Sequence, residues 1–370
     1  MKIRLFLIVL LLSVWASACE STGSQPVFSR DTMPKATAIP MQANPRVVAT
    51  LASRLISFDV SPDGNVIALA TSSGALLYDL HTYRFLRSLN NGELTTSVAW
   101  SADGSKLAVG GAKDYGTPFF VGGDSNNSNK AHLTVWDTST WKIIFEPGFG
   151  NEMVNQSFRD LAWSPNGHLL AFSLDLGGVQ VLDTQTGQLV SRQGDFAATV
   201  TDISWSPDGS RLVANNDLAY GIRRWRVSDD QWVRLFDPRA SSSNTVAWSP
   251  DGKRIASGHY LGTVCLWTAA TNKCDGFIQA HLERTVSLAW SPGSSKLATG
   301  GSVIRIWNAS TGKLIKAFGQ ESNFIYDRIE WPAPSGPLVS LESDLANAGA
   351  TILRLWDISS GAIIAEFRGQ

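Results

Sequence analysis

The sequence contains few cysteines, few histidines and little charge. Of its 370 residues, 3 are cysteine, 5 are histidine and 17% are charged, and the formal net charge is −1. A chain with no basic excess lacks the surface that neutralises phosphates, so we expect no nucleic acid partner. The apolar run at residues 5–15 is shorter than the roughly 20 residues that a membrane-spanning helix needs.

Sequence patterns of catalysis and metal binding are also missing. There is no GxSxG or HExxH motif, and the histidines lie in different segments of the chain. The STGK segment at residues 310–313 lacks the earlier glycine of a phosphate-binding loop. The stretch around Asp124 lacks the glycine and the terminal glutamate of a calcium loop. We therefore predict no catalytic residues, no metal site and no cofactor, in a protein that is not an enzyme.

One segment recurs seven times along the chain. Each copy has an apolar or aromatic residue, a serine, a short turn and an alternating apolar run. The serine position is occupied by Ser61, Ser101, Ser164, Ser206, Ser249, Ser291 and, in a divergent last copy, Pro332. Successive copies start roughly 40 residues apart, except where an insertion at residues 112–130 lengthens one interval. A period of this length is typical of a repeat protein.

The copy at residues 246–267, VAWSPDGKRIASGHYLGTVCLW, predicts three consecutive strands. Large and small side chains alternate in VAW and RIASG, and Pro250 and Gly252 suit a hairpin turn between them. LGTVCLW is rich in β-branched and aromatic residues, which favour a third strand. A further apolar segment follows, as GKLIKAF does at residues 312–318, so we expect four strands in each unit.

The first strand of most units places a small residue between two large ones, as in Val98, Ala99 and Trp100. Side chains alternate between the faces of a strand, so each predicted sheet has one bulky and one shallow face. A four-stranded sheet cannot hide both faces alone. We expect the Trp of one sheet to cover the Ala of its neighbour around a closed ring. Burying each aromatic side chain in this way stabilises the fold by about 1.5 to 3 kcal/mol of transfer free energy.

Seven four-stranded units with this period describe a propeller. Third strands such as LTVWD, ending at Asp137, and LRLWD, ending at Asp357, resemble the WD-repeat family. The resemblance implies an all-β fold, a seven-bladed β-propeller of four-stranded antiparallel blades, over residues 46–370. The family's buried network of Trp, Ser or Thr, Asp and His is incomplete, because only His281 matches its histidine and Leu261 replaces one aspartate.

Two segments compete for the last strand of blade seven. One is RVVATL at residues 46–51, and the other is AIIAEF at residues 362–367. WD-repeat proteins commonly use the amino-terminal segment, whereas the short gap between Leu51 and Phe58 favours the carboxy-terminal one.

The amino terminus has the features of an export signal. Residues 1–18 combine two basic residues, an apolar core and small residues that precede Cys19. The small residues resemble a bacterial lipobox, with Ala16 where Leu is usual, and this resemblance implies that a mature chain begins at a lipid-bearing Cys19. The alternative is an ordinary secretory signal that ends at a cysteine by chance. Residues 19–45 are rich in Ser, Thr and Pro and predict a disordered tether.

Cys265 and Cys274 fall on the predicted third and fourth strands of the fifth unit. If the turn centres on Ala269 and Ala270, the two cysteines face each other at a spacing that a disulfide can close. An exported protein meets an oxidising compartment, which favours the bond. The alternative is a pair of reduced core cysteines one residue out of register.

The loops between the second and third strands, and those between blades, should open on one face. Long loops on a rigid scaffold often carry function, and aromatic residues are enriched in contact surfaces. We therefore predict a recognition face built from loop aromatics and from charged residues at the starts of first strands: Tyr115, Phe119, Phe120, Asp160, Asp202, Tyr260 and Arg328. The alternative is that Phe119 and Phe120 only hold their loop against the blade.

These features predict a monomeric propeller that is anchored in the bacterial cell envelope, outside the cytoplasm, by an amino-terminal lipid. We expect it to bind protein partners of the envelope as a scaffold or recognition module. The alternative is a small-molecule or glycan-binding protein, or an enzyme, that uses the central channel. The fold alone does not decide between them, because propellers support many functions.

Overall fold

The structure, a computed structural model, describes residues 45–90, 92–113, 130–148, 156–175, 178–193, 199–215, 222–319, 324–334, 336–347 and 349–370. All of them belong to the compact unit Pro34–Gln370. They form 29 β-strands, and no helix that could span a membrane occurs among them. The predicted signal, tether and lipid-bearing Cys19 lie outside the described residues.

Seven sheets follow one another along the chain. Blades one to four comprise β2 (Leu55–Val60), β3 (Val66–Thr71), β4 (Gly74–Asp79) and β5 (Phe85–Leu89); β6 (Leu94–Trp100), β7 (Lys106–Lys113), β8 (Lys130–Asp137) and β9 (Lys142–Phe145); β10 (Phe158–Trp163), β11 (Leu169–Leu174), β12 (Gly178–Asp183) and β13 (Leu189–Gln193); β14 (Ile203–Trp205), β15 (Arg211–Asn215), β16 (Ile222–Arg226) and β17 (Trp232–Leu235).

Blades five to seven comprise β18 (Ser243–Trp248), β19 (Arg254–His259), β20 (Thr263–Thr268) and β21 (Lys273–Gln279); β22 (Ser287–Trp290), β23 (Lys296–Gly300), β24 (Ile304–Asn308) and β25 (Leu314–Phe318); β26 (Phe324–Glu330), β27 (Leu338–Asp344), β28 (Thr351–Trp356) and β29 (Ile363–Gly369), with β1 (Arg46–Leu51) beside β29. Each blade is an antiparallel meander whose first strand faces the channel. The predicted seven-bladed, four-stranded propeller is confirmed.

The repeated Ser-Pro-Asp-Gly segment forms the hairpin between the first two strands of a blade. In blade five, the Ser249 hydroxyl donates to Asp251 Oδ1 at 2.7 Å and accepts from the Arg254 amide at 2.9 Å. Gly252 has φ = 72°, which a side chain would disfavour. The most recurrent motif of the sequence is therefore a structural turn, and it lies on the face opposite the loops between the second and third strands.

Tryptophans of the first strands join neighbouring blades. Trp163 of blade three is buried against Ala99 and Ala108 of blade two, and its Nε1 donates to the Ala99 carbonyl at 3.0 Å. Trp290 Nε1 makes the same bond to the Ala247 carbonyl at 3.1 Å. The predicted packing of Trp over Ala is thus confirmed, and the alanine belongs to the preceding blade.

The ring closes between blades seven and one. The Leu55 amide donates to Thr351 Oγ1 at 3.0 Å, and one buried apolar cluster contains residues of both blades, among them Phe58 and Phe367. β29 is the fourth strand of blade seven, as the short gap indicated, and β1 adds a fifth strand parallel to it. Both competing segments therefore belong to this blade, because β1 pairs with the free edge of β29 rather than replacing that strand.

Candidate recognition site

The central channel opens into a cavity of about 1480 Å³. Residues in or directly before the first strand of every blade line it, among them Ser57, Asp202, Thr245, Ser287 and Arg328. We call this cavity the cup. Because each first strand enters the channel from the loop side, the cup lies where the loops between strands and between blades converge.

Arg328 lines the cup and reaches across the channel. Its Nη1 lies 3.4 Å from Asp160 Oδ1 of blade three, and its Nε lies 3.0 Å from Glu330 Oε1 of its own strand. Burial alone would lower the pKa of Arg328, but Glu330 and Asp160 raise it above its ordinary value. The guanidinium therefore stays charged and links non-adjacent blades.

The two predicted aspartates connect blades through their carboxylates. Asp160 Oδ2 accepts from the Ile203 amide at 3.0 Å, and Asp202 Oδ2 accepts from the Val246 amide at 2.9 Å and the Thr245 hydroxyl at 2.5 Å. Burial raises the pKa of both, and burial together with nearby Asp160 raises the pKa of Asp202 to about 7. Asp160 is only 4% exposed, and Asp202 is half-buried and lines the cup.

A second carboxyl pair was not foreseen from the sequence. Asp59 Oδ2 accepts from the Trp100 amide at 2.6 Å, and Glu330 Oε2 accepts from the Val60 amide at 3.3 Å. Burial first, and then the neighbouring Glu330, raises the pKa of Asp59 well above its ordinary value. The signal was available, because these two acids occupy the position that alanine or serine fills in the other blades.

Sequence reasoning also missed a histidine that completes a buried network in blade five. Trp267 Nε1 donates to Ser257 Oγ at 2.8 Å, that hydroxyl lies 2.8 Å from His259 Nε2, and His259 Nδ1 lies 2.8 Å from the Ser241 carbonyl. Burial lowers the pKa of His259 to about 4, so it stays neutral. The indole N–H of Trp267 therefore has a hydrogen-bond acceptor in blade five, although Leu261 replaces the aspartate of the family's network.

The loops of blades five and six expose a group of large apolar side chains. Tyr260, Leu261 and Leu282 are 41%, 62% and 44% exposed, and Tyr260 also lines the cup. Gln279 Nε2 donates to the carbonyls of Leu261 at 3.0 Å and His281 at 2.8 Å, which ties the two loops together. We call Tyr260, Leu261 and Leu282 the apolar patch.

Gly262 fixes the backbone next to the apolar patch. Its φ is 73°, and a Cβ at this position would collide with the carbonyl oxygens of His281 and Glu283. The two loops can approach this closely only because residue 262 has no side chain. The patch is therefore held on rigid backbone beside the cup.

The predicted recognition face lies only partly within the described residues. Tyr115, Phe119 and Phe120 lie outside the described residues, between the long strands β7 and β8. Tyr260, Asp202 and Arg328 line the same cavity, whereas Asp160 does not line it but contacts Arg328. No group of three His, Cys, Asp or Glu side chains suited to a metal ion is found in the part of the chain that the structure describes.

Cys265 and Cys274 are joined in the structure, with Cα atoms 5.8 Å apart. The expectation that they face each other directly was wrong, because Cys274 pairs with Trp267 and Cys265 pairs with Phe277. A register shift after Leu266 displaces the ladder, so the bond runs diagonally between β20 and β21.

Sequence comparison identifies repeats of a known type in this chain. Residues 187–237, 240–268 and 272–308 match the family model described as WD domain, G-beta repeat. Residues 128–208 match the model of the anaphase-promoting complex subunit 4 WD40 domain. The matched segments cover blades three to five, the first three strands of blade six and the last two strands of blade two.

Similar proteins share short stretches of this sequence. Polyadenylation factor subunit 2 of Candida albicans is 29% identical over 136 residues, which are 36% of this chain and 24% of that protein. WD repeat and SOCS box-containing protein 1 of Homo sapiens is 25% identical over 111 residues, 29% of this chain and 26% of that protein. The matches therefore span about a quarter of the length of these relatives.

A solved structure has the same fold. A chain in the crystal structure of a mitotic checkpoint complex superposes with a TM-score of 0.57 at 21% identity, over 72% of this chain and 74% of that one. At this identity the likeness concerns the fold. Three segments of the chain thus match WD repeats, and the described residues form a closed ring of seven blades.

Proposed function

We propose that this propeller is a protein-interaction module whose partner docks on the loop face, over the apolar patch and the mouth of the cup. The observation that carries the proposal is the exposure of three large apolar side chains on rigid loops beside a cavity. Exposing such groups to water is unfavourable, and a few anchor residues, tyrosine among the commonest, supply most of the binding energy in interfaces.

The sequence of blade five favours the same surface. Leu261 stands where related repeats carry a buried aspartate, and His259 serves the tryptophan network instead. The side chain of residue 261 is therefore not needed for that network, and in Leu261 it is apolar and 62% exposed. One of the similar proteins is by name a subunit of a polyadenylation factor, and this supports an interaction role.

The test compares partner recovery by surface variants of the full chain. Leu261→Asp combined with Leu282→Asp should reduce recovery of a partner co-purified with the unaltered protein by more than about tenfold. Leu86→Asp on the outer strand β5, where Leu86 is also exposed, should leave recovery unchanged. Equal loss in both variants, or no loss in the first, would refute this docking surface.

The proposal extends to location. An export signal followed by Cys19 supports a lipid-anchored protein outside the cytoplasm of a bacterial cell, with residues 19–45 as the tether. Cys19→Ser should release the protein from the membrane fraction, while Cys274→Ser should leave it there. A membrane-bound Cys19→Ser protein would contradict the anchor.

A second candidate function is binding of a small molecule or glycan in the cup. The hydroxyl groups of Ser57, Thr201, Thr245 and Ser287 and the amide of Asn244 line the cavity, and such groups both donate and accept hydrogen bonds. A ligand that binds only the folded chain raises its unfolding temperature. A panel of neutral oligosaccharides that produces no such rise would argue against this candidate.

A further inference from the structure

We propose that Asp202 receives a cationic side chain, a guanidinium or ammonium group, that the docked partner extends into the cup. This inference rests on the proposed interaction function and names the chemistry that the partner must carry. It is drawn from the way charges are paired in and around the cup.

The other acids around the cup already have cations. Asp160 and Glu330 share Arg328, and Asp175 pairs with Arg159. Asp327 lies close enough to Arg54 and Arg284 to interact with them electrostatically. Arg54, Arg159 and Arg284, which line the cup, are therefore associated with acids other than Asp202. Arg328 pairs directly with Asp160 and Glu330 and acts on Asp202 only electrostatically, without an ion pair.

The hydrogen-bond partners of the Asp202 carboxylate are neutral. Its Oδ2 accepts from the Thr245 hydroxyl and the Val246 amide, and no donor reaches its Oδ1 among the described residues. No described cation lies within ion-pair distance of this carboxylate. A half-buried carboxylate with no cation in direct contact is unfavourable when ionised, and an incoming cation would relieve that cost.

The position of Asp202 links it to the apolar patch. Asp202 lies on the wall of the cup formed by blades four and five, with Thr201, Asn244 and Tyr260. Tyr260 belongs both to this wall and to the patch. A partner that covers the patch can therefore extend a basic side chain past Tyr260 to Asp202, and a charge-assisted hydrogen bond to Oδ1 would hold it.

Ionisation of Asp202 should control this contact. The charged groups that face it are Asp160 from β10 and Arg328 from β26, while β18 contributes only the neutral Thr245. Burial and Asp160 raise the pKa of Asp202 to about 7. A cation should consequently bind more tightly as pH rises through neutrality, and its binding should release a proton.

The experiment uses two small probes and the full chain. N-acetylarginine amide and its uncharged isostere N-acetylcitrulline amide are titrated by ligand-observed NMR. We expect the arginine amide to bind at least about tenfold more tightly, because only it can form the charge-assisted bond. This preference should increase between about pH 6 and pH 8 as Asp202 ionises.

Asp202→Asn and Asp327→Asn provide matched variants within one cavity. Asp202→Asn should abolish both the preference and its pH dependence, whereas Asp327→Asn should retain them because Asp327 already has arginine neighbours. Equal binding of the two probes, binding of neither, or a preference that persists in Asp202→Asn would overturn the inference. If Asp202→Asn fails to fold, a preference for the arginine amide that does not change with pH in the unaltered protein would overturn it as well.

The probes do not reach the apolar patch, so this test is separate from that of the docking surface. If the unaltered protein shows no preference for the arginine amide, but Leu261→Asp with Leu282→Asp still reduces partner recovery, the cation site alone is refuted. The reverse result would refute the docking surface and leave Asp202 as a cation site.

Discussion

Arg328 of blade seven and Asp160 of blade three meet across the channel, with Nη1 3.4 Å from Oδ1. The two residues are 168 positions apart in the chain, and neither belongs to a blade adjacent to that of the other. The pair therefore connects blades that share no sheet and no inter-blade core.

Removing Arg328 should destabilise the protein. Arg328→Met leaves the buried Asp160 and Glu330 without their cation, and we expect a loss of about 1 to 3 kcal/mol in the free energy of unfolding, since Arg328 is partly exposed. Urea unfolding measures the loss. The double variant with Asp160→Asn should lose less than the sum of the single variants, and strict additivity would show that the two residues do not interact.

Replacing a tryptophan between blades should lower the free energy of unfolding far more than replacing one on the rim. Trp290 is buried against blade five, and Trp290→Ala should cost about 3 to 5 kcal/mol. Trp232 on the outer strand of blade four is 47% exposed, and Trp232→Ala should cost less than about 1 kcal/mol. Similar losses in urea unfolding for the two variants would contradict the inter-blade packing.

The buried His259 should make the protein sensitive to acid. Its pKa is lowered to about 4 by burial, against an ordinary value near 6.5 in an unfolded chain. Between these values the unfolded chain binds a proton that the folded chain does not, so stability falls as pH drops through that range.

His259→Gln should remove this contribution to the pH dependence. Between about pH 6.5 and pH 4 the variant should lose about 2 to 3 kcal/mol less stability than the unaltered protein. Asp59 and Asp202 titrate in both proteins and cancel in the comparison. Parallel stability curves over this range would show that His259 does not contribute.

The bond between Cys265 and Cys274 can be tested chemically. In unreduced, denatured protein neither cysteine should react with iodoacetamide, as mass spectrometry of the peptides would show. Reduction should lower the free energy of unfolding by about 2 to 3 kcal/mol, the entropy expected for so short a loop. Alkylation of both residues without reduction would mean that the thiols are free.

The sequence predicts the ring of blades well because its determinants are local and repeated. The serine turn at Ser249, the period and the alternation of Ala99 with Trp100 recur in each copy, so one unit informs the others. Pairing of Trp163 with Ala99 follows from this alternation and from the need to bury both faces of a sheet.

The charged groups of the channel could not be placed from the sequence. The meeting of Arg328 with Asp160 depends on the diameter of the closed ring, which no local pattern encodes. The sequence predicts Asp202 at the channel mouth, but it does not show that Asp160 forms an ion pair with Arg328 while Asp202 forms none. The exposure of Leu282 likewise depends on how two loops meet at Gly262.

The most direct test of the proposed docking surface places a photo-crosslinking residue at Leu261 and, as a control, at Leu86 on the rim of blade one. In cells that produce the protein, the probe at position 261 should give one discrete cross-linked product, which disappears when Leu282 is changed to Asp. The probe at position 86 should give none. The same products from both positions, no product from either, or a position 261 product that survives Leu282→Asp would contradict a partner bound at the apolar patch.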